Sequence, residues 1–568
     1  MNERLISWTV SGSFTATVIL ERSFDSADGG FNKVTDVADI TGQGSSSYQD
    51  TDDNINVWYR FRVSSYTSGV ATIAVTYQGG NKEGIARATA YNSNTEMDVE
   101  VLQRFGDTGG AESWSIGAWN GVYGYPTAVA IHEGRVFHAG KATIWGSVSD
   151  DYQNFEPDTV GDAGPINRTL GAGPVDQVTF LASNTRLVAG TAGTEIAIRS
   201  SSLDEPLTPS NASARPFSTQ GTANLSASRV DNELFFVQRS LKKIFTIGFG
   251  AGASGASDYS AIRTTELTLL VPDLLEAGVV DIAVQRQPET RLHCALEDGR
   301  VAILTYEPQE EVVAWSMWET DTGLNSKVER IAVLPEGVED GVYYHVQRTV
   351  NGVKKRFIEK WALETEGRGD TGLTWLSDCA VSQTTDTGRT DSVAVNHLIG
   401  AKVVAWANDT GQANSYGKDL SGDDTGGVQK LYTVGVGGNI TLEESVKHAV
   451  AGLGYQADWK SSKLAYGAQA GSALAQMKRI DKLAMLLHET HNNAIFFGSD
   501  TGDLDPMPRV SDNGAEVDKD KVFTQYDDVS VPFPGNWDTD SRAYVRAKSP
   551  RPATVLALIP TVNTNEKI

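Results

Sequence analysis

A strand motif that recurs about every 50 residues constrains the fold of this chain more than any other feature. It has a polar residue at its head followed by mostly apolar residues, and copies begin at Arg135, Arg186, Glu233, Arg291 and, more loosely, Val342. Each copy stands between two further strand-like segments, and a fourth follows one copy at 312–319. Three or four antiparallel strands at this period are typical of β-propeller blades. A single small sheet cannot bury both faces, whereas stacked blades cover one another.

The sequence therefore predicts an all-β chain that contains an irregular β-propeller with flanking β-sandwich-like domains. Five copies are visible, and a closed ring needs about six or seven blades, so either flanking sequence supplies a blade or the ring is irregular. A series of ordinary meanders with chance spacing remains the alternative. The predicted domains are an N-terminal β domain at 1–118, the propeller at 119–365, a β-rich polar insertion or tip domain at 366–475 and a C-terminal β segment closing the fold at 476–568.

Composition agrees with an all-β chain, because 56 Gly and 18 Pro accompany many short runs of Val, Thr and aromatic residues. Two segments nevertheless predict helices: 265–277, and 441–451, where two glutamates follow a threonine as at a helix N-terminus. The apolar run at 552–561 lies between prolines and predicts a buried strand that ends the fold.

Charge and cysteine content exclude several classes of protein. With 48 Lys and Arg against 72 Asp and Glu, the net charge is −24, which disfavours a protein that wraps DNA. The two cysteines, Cys294 and Cys379, exclude a disulfide framework and an all-cysteine zinc site. The N-terminus lacks the pattern of a secretory signal, and no apolar run is long enough to predict a membrane span.

The motifs that could carry chemistry are weak. His132 and His138, with Glu133 beside the first, could reach one metal ion, but no third ligand stands at a motif spacing, so we interpret both as structural histidines. No phosphate-binding loop and no nucleophile elbow are present. We therefore expect no catalytic residues, no cofactor and no metal site.

Carboxylate groups are abundant, and we interpret them as solvated loop residues. The pairs are Asp423 with Asp424, Asp527 with Asp528 and Asp538 with Asp540. Asp500, Asp503 and Asp505 lack the glycine and the terminal glutamate of a calcium loop. Residues 23–31 loosely resemble the aspartate turn of sialidase propellers, although this pattern occurs once, outside the repeat, and fits an ordinary Asp-Gly turn.

Small basic groups admit two interpretations: ion pairs with the acidic excess of the same chain, or contacts between basic and acidic faces of neighbouring subunits. They are Lys242 with Lys243, residues 354–356, Lys478 and Arg479 with Lys482, and Arg542, Arg546, Lys548 and Arg551. For the second interpretation, the last group would meet an acidic loop at 419–424 of a neighbour.

Four stretches, in order, resemble the tail tubular or nozzle proteins of short-tailed double-stranded DNA bacteriophages. The first comprises 124–129, 134–140, 144–147 and 151–155, where such proteins often carry a YP…F…RL…AG…IWGS…DY.NF run. The others are 296–316, 396–403, and 478–481 leading to 550–557. Each motif is weak alone because it consists of packing and turn residues, but their order is specific, and the resemblance covers roughly residues 120–560.

The resemblance implies a virion tail protein, assembled in the host cytoplasm, that forms a ring, most commonly a homohexamer, around the DNA exit channel. Its partners would be the tail adaptor and other tail proteins such as fibers. Double-stranded DNA would pass through the lumen during ejection without sequence-specific binding, which an acidic lumen wall permits. A glycan-binding or glycan-hydrolysing propeller for host attachment, and a regulatory propeller that binds host proteins, are the alternatives.

Overall fold

The computed structural model describes most of the chain, which is almost entirely β-structure arranged in many small antiparallel sheets. The described residues are 4–50, 57–78, 84–103, 105, 114, 116–157, 159–171, 177–200, 205–249, 262–320, 322–363, 375–385, 388–408, 417–421, 429–464, 467–468, 471–507, 517, 520–526 and 530–565. The helical segments within these ranges are three-residue 3₁₀ turns at Pro308–Glu310, Thr322–Leu324, Asn396–Leu398 and Ala473–Ala475. The all-β prediction is confirmed. The chain divides into two compact units, Met1–Gly117 and Ala118–Ile568.

The first unit packs two three-stranded sheets around its own core. Its strands are β1 (Arg4–Ser11), β2 (Phe14–Ser23), β3 (Asn32–Lys33), β4 (Gly44–Asp50), β5 (Trp58–Gly69), β6 (Thr72–Gln78), β7 (Ile85–Ser93) and β8 (Glu96–Gln103). The sheets have the orders β4-β1-β6 and β3-β2-β5, while β7 and β8 form a separate two-stranded hairpin. Ile6 and Trp8 from β1 and Leu20 from β2 are buried together between the two sheets.

Each copy of the sequence repeat forms one antiparallel sheet, called sheets 1 to 5 in chain order. Sheet 1 comprises β9 (Ala128–His132), β10 (Arg135–Gly140), β11 (Thr143–Gly146) and β12 (Ile166–Thr169). Sheet 2 comprises β13 (Val178–Ser183), β14 (Leu187–Thr191), β15 (Glu195–Arg199) and β16 (Ser213–Ser218). Sheet 3 comprises β17 (Ser228–Val230), β18 (Glu233–Val237), β19 (Ile244–Phe249) and β20 (Ile262–Glu266). Sheet 4 comprises β21 (Val279–Gln285), β22 (Arg291–Leu296), β23 (Val301–Glu307) and β24 (Val312–Trp318). Sheet 5 comprises β25 (Lys327–Glu336), β26 (Glu339–Val350) and β27 (Val353–Lys360).

Neighbouring sheets of this series pack face to face, each pair over its own apolar core. In β18, Leu234 and Phe236 are buried against sheet 2, beside Phe180. The alternate residues, Phe235 and Val237, are buried against sheet 4. Because side chains of a strand alternate between two faces, one strand serves two cores. Similar cores join sheet 1 to sheet 2 and sheet 4 to sheet 5.

The two outer faces of this stack are exposed. On sheet 1, Val129 and Ile131 are 59% and 63% exposed, whereas the partly buried Ala130 points to the opposite face. On sheet 5, Ile358 is 77% exposed and pairs in register with His345. The stack therefore begins and ends on surfaces that solvent reaches in the single chain.

The remaining chain forms two further pairs of sheets, each pair over a shared core. The strands of the first pair are β28 (Asp378–Thr384), β29 (Thr390–Ala394), β30 (Lys402–Asn408), β31 (Lys418–Asp419), β32 (Tyr432–Thr433), β33 (Asn439–Val446) and β34 (His448–Leu453). The later strands are β35 (Gln456–Lys460), β36 (Gly467–Ala468), β37 (Gly471–Ser472), β38 (Lys478–His491), β39 (Ile495–Asp500), β40 (Asp503–Pro506), β41 (Val522–Tyr526), β42 (Ser530–Pro532), β43 (Tyr544–Lys548) and β44 (Thr554–Thr564). In the sheet β35-β43-β39-β40, strands from both sides of residue 475 pair with one another.

Three predictions about single elements are wrong. The segment 265–277 contains the end of β20 followed by turns, and 441–451 lies in β33 and β34. The glutamates that suggested a helix start at 441–451 pair instead with lysines: Glu443 with Lys430, and Glu444 with Lys418. The last strand, β44, is an edge strand that pairs with β38 and leaves Leu556 largely exposed rather than buried.

Candidate functional site

The predicted histidine pair does not form a metal site, because His132 and His138 point to opposite faces of sheet 1. His132 pairs in register with Arg135, so these two side chains share a face of the sheet. Arg135 and His138 are an odd number of positions apart on β10, so the His138 side chain points to the other face. Nδ1 of His132 lies 2.9 Å from the Ser183 hydroxyl of sheet 2. Burial lowers the pKa of His132, against the raising effect of neighbouring Glu133. No group of three or more His, Cys, Asp or Glu within the described ranges could hold a metal ion.

On the other face of sheet 1, His138 belongs to an aromatic cluster. Its ring lies 4.8 Å from that of Trp119 and 5.6 Å from that of Phe155, measured between centroids. Burial lowers the pKa of His138. Both histidines therefore contact side chains of the fold on opposite faces of sheet 1.

The carboxylate pairs that the structure describes form turns. Asp540 pairs with Arg542 at 2.8 Å, and its backbone N–H donates to Asp538. The hydrogen bond from Arg542 lowers the pKa of Asp540, which suits a fixed anion rather than a general acid. Asp500 and Asp503 face each other across a hairpin turn. The pairs at 423–424 and 527–528 lie outside the described residues.

The segment that resembles an aspartate turn is a serine-capped turn between β2 and β3. The Ser23 hydroxyl donates to the Gly29 carbonyl at 2.6 Å and accepts from the backbone N–H of Asp25. The N–H of Gly29 in turn donates to the Ser26 hydroxyl. These hydrogen bonds stabilise a turn, in agreement with the interpretation of this segment as an ordinary Asp-Gly turn.

Most of the basic groups are engaged within the chain. Lys242 pairs with Glu276, Lys243 with Glu266, Arg356 with Glu329, Arg479 with Asp481, Arg542 with Asp540 and Arg546 with Asp458. Arg551 forms a fully buried pair with Asp419 at 2.8 Å, so both are already bound inside one subunit. Lys548 lies over the ring of Phe496. These contacts favour ion pairs within the same chain, rather than contacts between subunits, for the C-terminal group of basic residues. Residues 422–424 of the acidic loop lie outside the described part of the chain.

Residues of the phage-like stretches occupy packing and turn positions in sheet 1. Arg135 is buried and donates to four backbone carbonyls: those of Ser147, Asp162, Ala163 and Gly164. This single side chain ties β10 to the end of β11 and to the loop before β12. A Cβ at Gly146 would come within 2.6 Å of the Phe137 ring, so only glycine fits there.

Polar contacts between neighbouring sheets recur at the period of the repeat. They are Thr127 Oγ1 to the Val178 carbonyl, His132 to Ser183, the N–H of Ile331 to Asp281, and His293 to the Tyr344 hydroxyl, each joining residues 50 or 51 positions apart. Equivalent positions therefore contact one another between sheets 1 and 2 and between sheets 4 and 5.

The most enclosed of these contacts is a neutral network around His293. Its Nδ1 lies 2.8 Å from the Tyr344 hydroxyl and its Nε2 lies 3.3 Å from Oε1 of Gln285. Since Oε1 can only accept, Nε2 carries the proton and Nδ1 accepts from the tyrosine. Burial lowers the pKa of His293 to about 3, and Arg291 adds to the effect. The network links sheets 4 and 5 and offers no group to a substrate.

One feature that the sequence predictions omit is the hairpin β7–β8. All its described side chains except that of Gln103 are exposed, and Glu96, Asp98 and Glu100 alternate with Met97, Val99 and Val101 along β8. This strict alternation is the sequence signal by which the strand could be found.

Comparisons with known proteins give little similarity. No protein-family model and no curated protein matches the chain. Among solved structures, Raptor from Chaetomium thermophilum is 10% identical over 57% of this chain and 27% of its own, with a TM-score of 0.24. The Bacteroides ovatus xyloglucan PUL GH43B protein is 9% identical over 67% of this chain and 88% of its own, with a TM-score of 0.16. Neither similarity is close enough to carry an inference about this chain. None of the helical segments in the described part of the chain is long and apolar enough to cross a membrane.

Proposed function

We propose that this protein is a structural component of a short-tailed bacteriophage tail, in which identical copies form a nozzle-like ring around the DNA exit channel. The observation that carries the proposal is the placement of the phage-like residues. Arg135, Phe137 and Gly146 pack sheet 1 and do not converge on a cleft. A scaffold protein needs such residues for shape, whereas an enzyme needs convergent polar groups.

The stacked sheets suit this role. In the proposal, sheets 1 to 5 are blades of an irregular propeller, and their exposed outer faces contact other copies. The two faces differ: Val129 and Ile131 mark an apolar surface on sheet 1, while Arg330 and Arg356 are exposed on sheet 5. Unlike faces meet in heterologous interfaces, which generate rings when the rotation between copies closes. We propose six copies, with the tail adaptor and fibers as further partners in the virion.

Electron microscopy of the purified protein, or of virion tails, tests this proposal. We expect a ring with sixfold symmetry and a central opening that admits a DNA duplex. A protein that stays monomeric at all concentrations, or that lies on the tail periphery, would contradict it.

The net charge of −24 leads to a second test. A lumen that lets DNA slide must not neutralise many phosphates, because each neutralised phosphate adds salt-dependent affinity. We expect no retardation of duplex DNA by the protein at physiological salt. Binding that weakens steeply with salt would argue against a DNA conduit of this kind.

The proposal also excludes catalysis as the main role. Host polysaccharide should remain intact after incubation with the protein. Hydrolysis that disappears when one carboxylate, such as Asp538, is changed to asparagine would support the glycan-acting alternative instead.

A further inference from the structure

In the described part of the chain, sheet 5 has three strands where sheets 1 to 4 have four; residues 364–374, which follow β27, lie outside that part. Among the described residues, β27 pairs with β26 and with no further strand. In the other four sheets, the position beside the third strand is filled by β12, β16, β20 or β24. The edge of β27 therefore corresponds to the place of a fourth strand. An edge strand presents backbone N–H and C=O groups to which another strand can pair.

This edge, called the basic edge (β27, Val353–Lys360), has a distinct chemistry. It carries four cations and one carboxylate, and that carboxylate, Glu359, is bound inward by Arg348. Two of the cations already have partners on β25, because Arg356 pairs with Glu329 and Lys360 with Glu336. Lys354 and Arg356 point to the outer face of sheet 5 together with Ile358, because they alternate with Phe357. Phe357 is packed on the core behind the sheet.

The hairpin β7–β8, called the acidic arm (Ile85–Gln103), has the complementary chemistry. One face carries Asp98 and Glu100, and the other carries Met97, Val99 and Val101, all exposed. A two-stranded hairpin is marginally stable in water by itself, and an exposed apolar row marks an interaction surface. The ion pair of Glu100 with Arg87 spans 3.4 Å between exposed side chains, so it contributes little and can be exchanged.

We propose that the acidic arm of one copy adds to the basic edge of a neighbouring copy as the fourth strand of sheet 5. Strand addition supplies backbone hydrogen bonds, and the alternating side chains supply specificity. The occupant is a second copy of this chain because the arm is acidic where the outer face of the edge is basic, and because β8 and β27 are each 8 residues long. This inference rests on the proposed self-association and names the surface that performs it.

One antiparallel register brings opposite charges together on the outer face, where Arg356 would be shared with Glu329; it also places Val99 opposite Lys355 and Glu96 opposite Ile358. With Asp98 opposite Arg356, Glu100 lies opposite Lys354 on the outer face. On the other face the same register places Met97 opposite Phe357. Directly opposite cross-strand pairs of these types each stabilise a sheet, whereas like charges in the same places destabilise it. A contact of arm to edge is heterologous, and its repetition generates a ring when the rotation between copies closes.

Charge reversal tests the register. Glu100→Lys and Lys354→Glu are each expected to weaken association about tenfold, and the double variant to recover to within about threefold of the unmodified protein. The measurement is sedimentation velocity over a concentration series, with circular dichroism to establish that each variant folds. Lys355→Glu is the matched control: it makes the same charge change on the same strand but on the other face. Equal effects of K354E and K355E, or no recovery in the double variant, would overturn the proposal.

Disulfide trapping identifies the partner surfaces directly. Glu100→Cys and Lys354→Cys are introduced into separate chains, which are mixed and oxidised. The native Cys294 is buried and Cys379 is partly buried, so each single variant alone is the background control. We expect a covalent dimer from the mixture that exceeds both backgrounds, and a weaker product when Lys355→Cys replaces Lys354→Cys.

The outcomes separate this inference from the proposed function. Rings in the electron microscope without the mixed disulfide would overturn the arm contact and leave the nozzle proposal intact. A disulfide that forms only within a single chain carrying both cysteines would also overturn it. A protein that is monomeric in every condition would overturn both proposals.

Discussion

At the scale of single residues, buried polar side chains determine how strands and loops are joined. Arg135 binds four carbonyls, and His293 bridges two sheets through Tyr344 and Gln285. Removing one partner of a buried polar contact leaves the other unsatisfied, which is more destabilising than the contact is stabilising. These residues are therefore the places where a single substitution has the largest effect.

Arg135→Met should lower the free energy of unfolding by about 3 kcal/mol, because several buried carbonyls lose a charged donor while the volume is kept. Urea denaturation followed by tryptophan fluorescence measures the change. Arg168→Met is the control, since the exposed Arg168 makes one hydrogen bond, to the Pro209 carbonyl. A loss for Arg135→Met no larger than for the control would contradict the assigned role.

His293 makes stability depend on pH in a defined direction. Its pKa is lowered from the ordinary 6.5 to about 3, so between these values the unfolded chain binds a proton that the folded protein does not. The contribution is present above pH 6.5 and is lost as the pH falls toward 3, with a slope approaching about 1.4 kcal/mol per pH unit. His293→Gln should therefore flatten the decrease in unfolding free energy between pH 7 and pH 4. Because the other histidines are common to both proteins, parallel curves would contradict this prediction.

At the scale of elements, one strand serves two cores, and β18 shows it most clearly. Phe235 faces sheet 4 and Phe236 faces sheet 2, although they are adjacent in sequence. Phe236 also stacks on Phe245 with centroids 5.7 Å apart. Phe236 and Phe245 therefore form one contacting pair, whereas Phe235 lies in a separate core.

Double-mutant cycles can measure whether these side chains contribute independently to the free energy of unfolding. For Phe235→Leu with Phe236→Leu we expect the two losses of stability to add to within about 0.5 kcal/mol, since the residues share no core. For Phe236→Leu with Phe245→Leu we expect a coupling energy of about 1 kcal/mol, because the rings are in contact. Strong coupling in the first cycle would show that the two faces of β18 are not independent.

At the scale of the whole molecule, the chain divides into two compact units, of which Met1–Gly117 has a complete core of its own. That core buries Trp8, whose ring meets Phe61 edge to face at 5.5 Å. A domain with its own core can fold alone.

We therefore expect residues 1–117, produced alone, to show a cooperative thermal transition and a near-ultraviolet circular dichroism signal. Trp8→Phe is the control that identifies the source of the signal, since it should remove much of it and lower the transition temperature. A spectrum of an unfolded chain for the unmodified fragment would contradict this prediction.

The sequence by itself determined the all-β class, the repeat and nearly every strand of sheets 1 to 5, because period-two alternation and turn residues are local properties of a chain. Tertiary structure alone decided that 441–451 is extended, since Glu443 and Glu444 find their cations on other strands. It also decided that β44 lies at an edge and that His132 and His138 face apart. The pairing of β27 with β26 alone among the described strands and the exposure of the acidic arm depend in the same way on contacts between segments, which the local pattern of a strand does not specify.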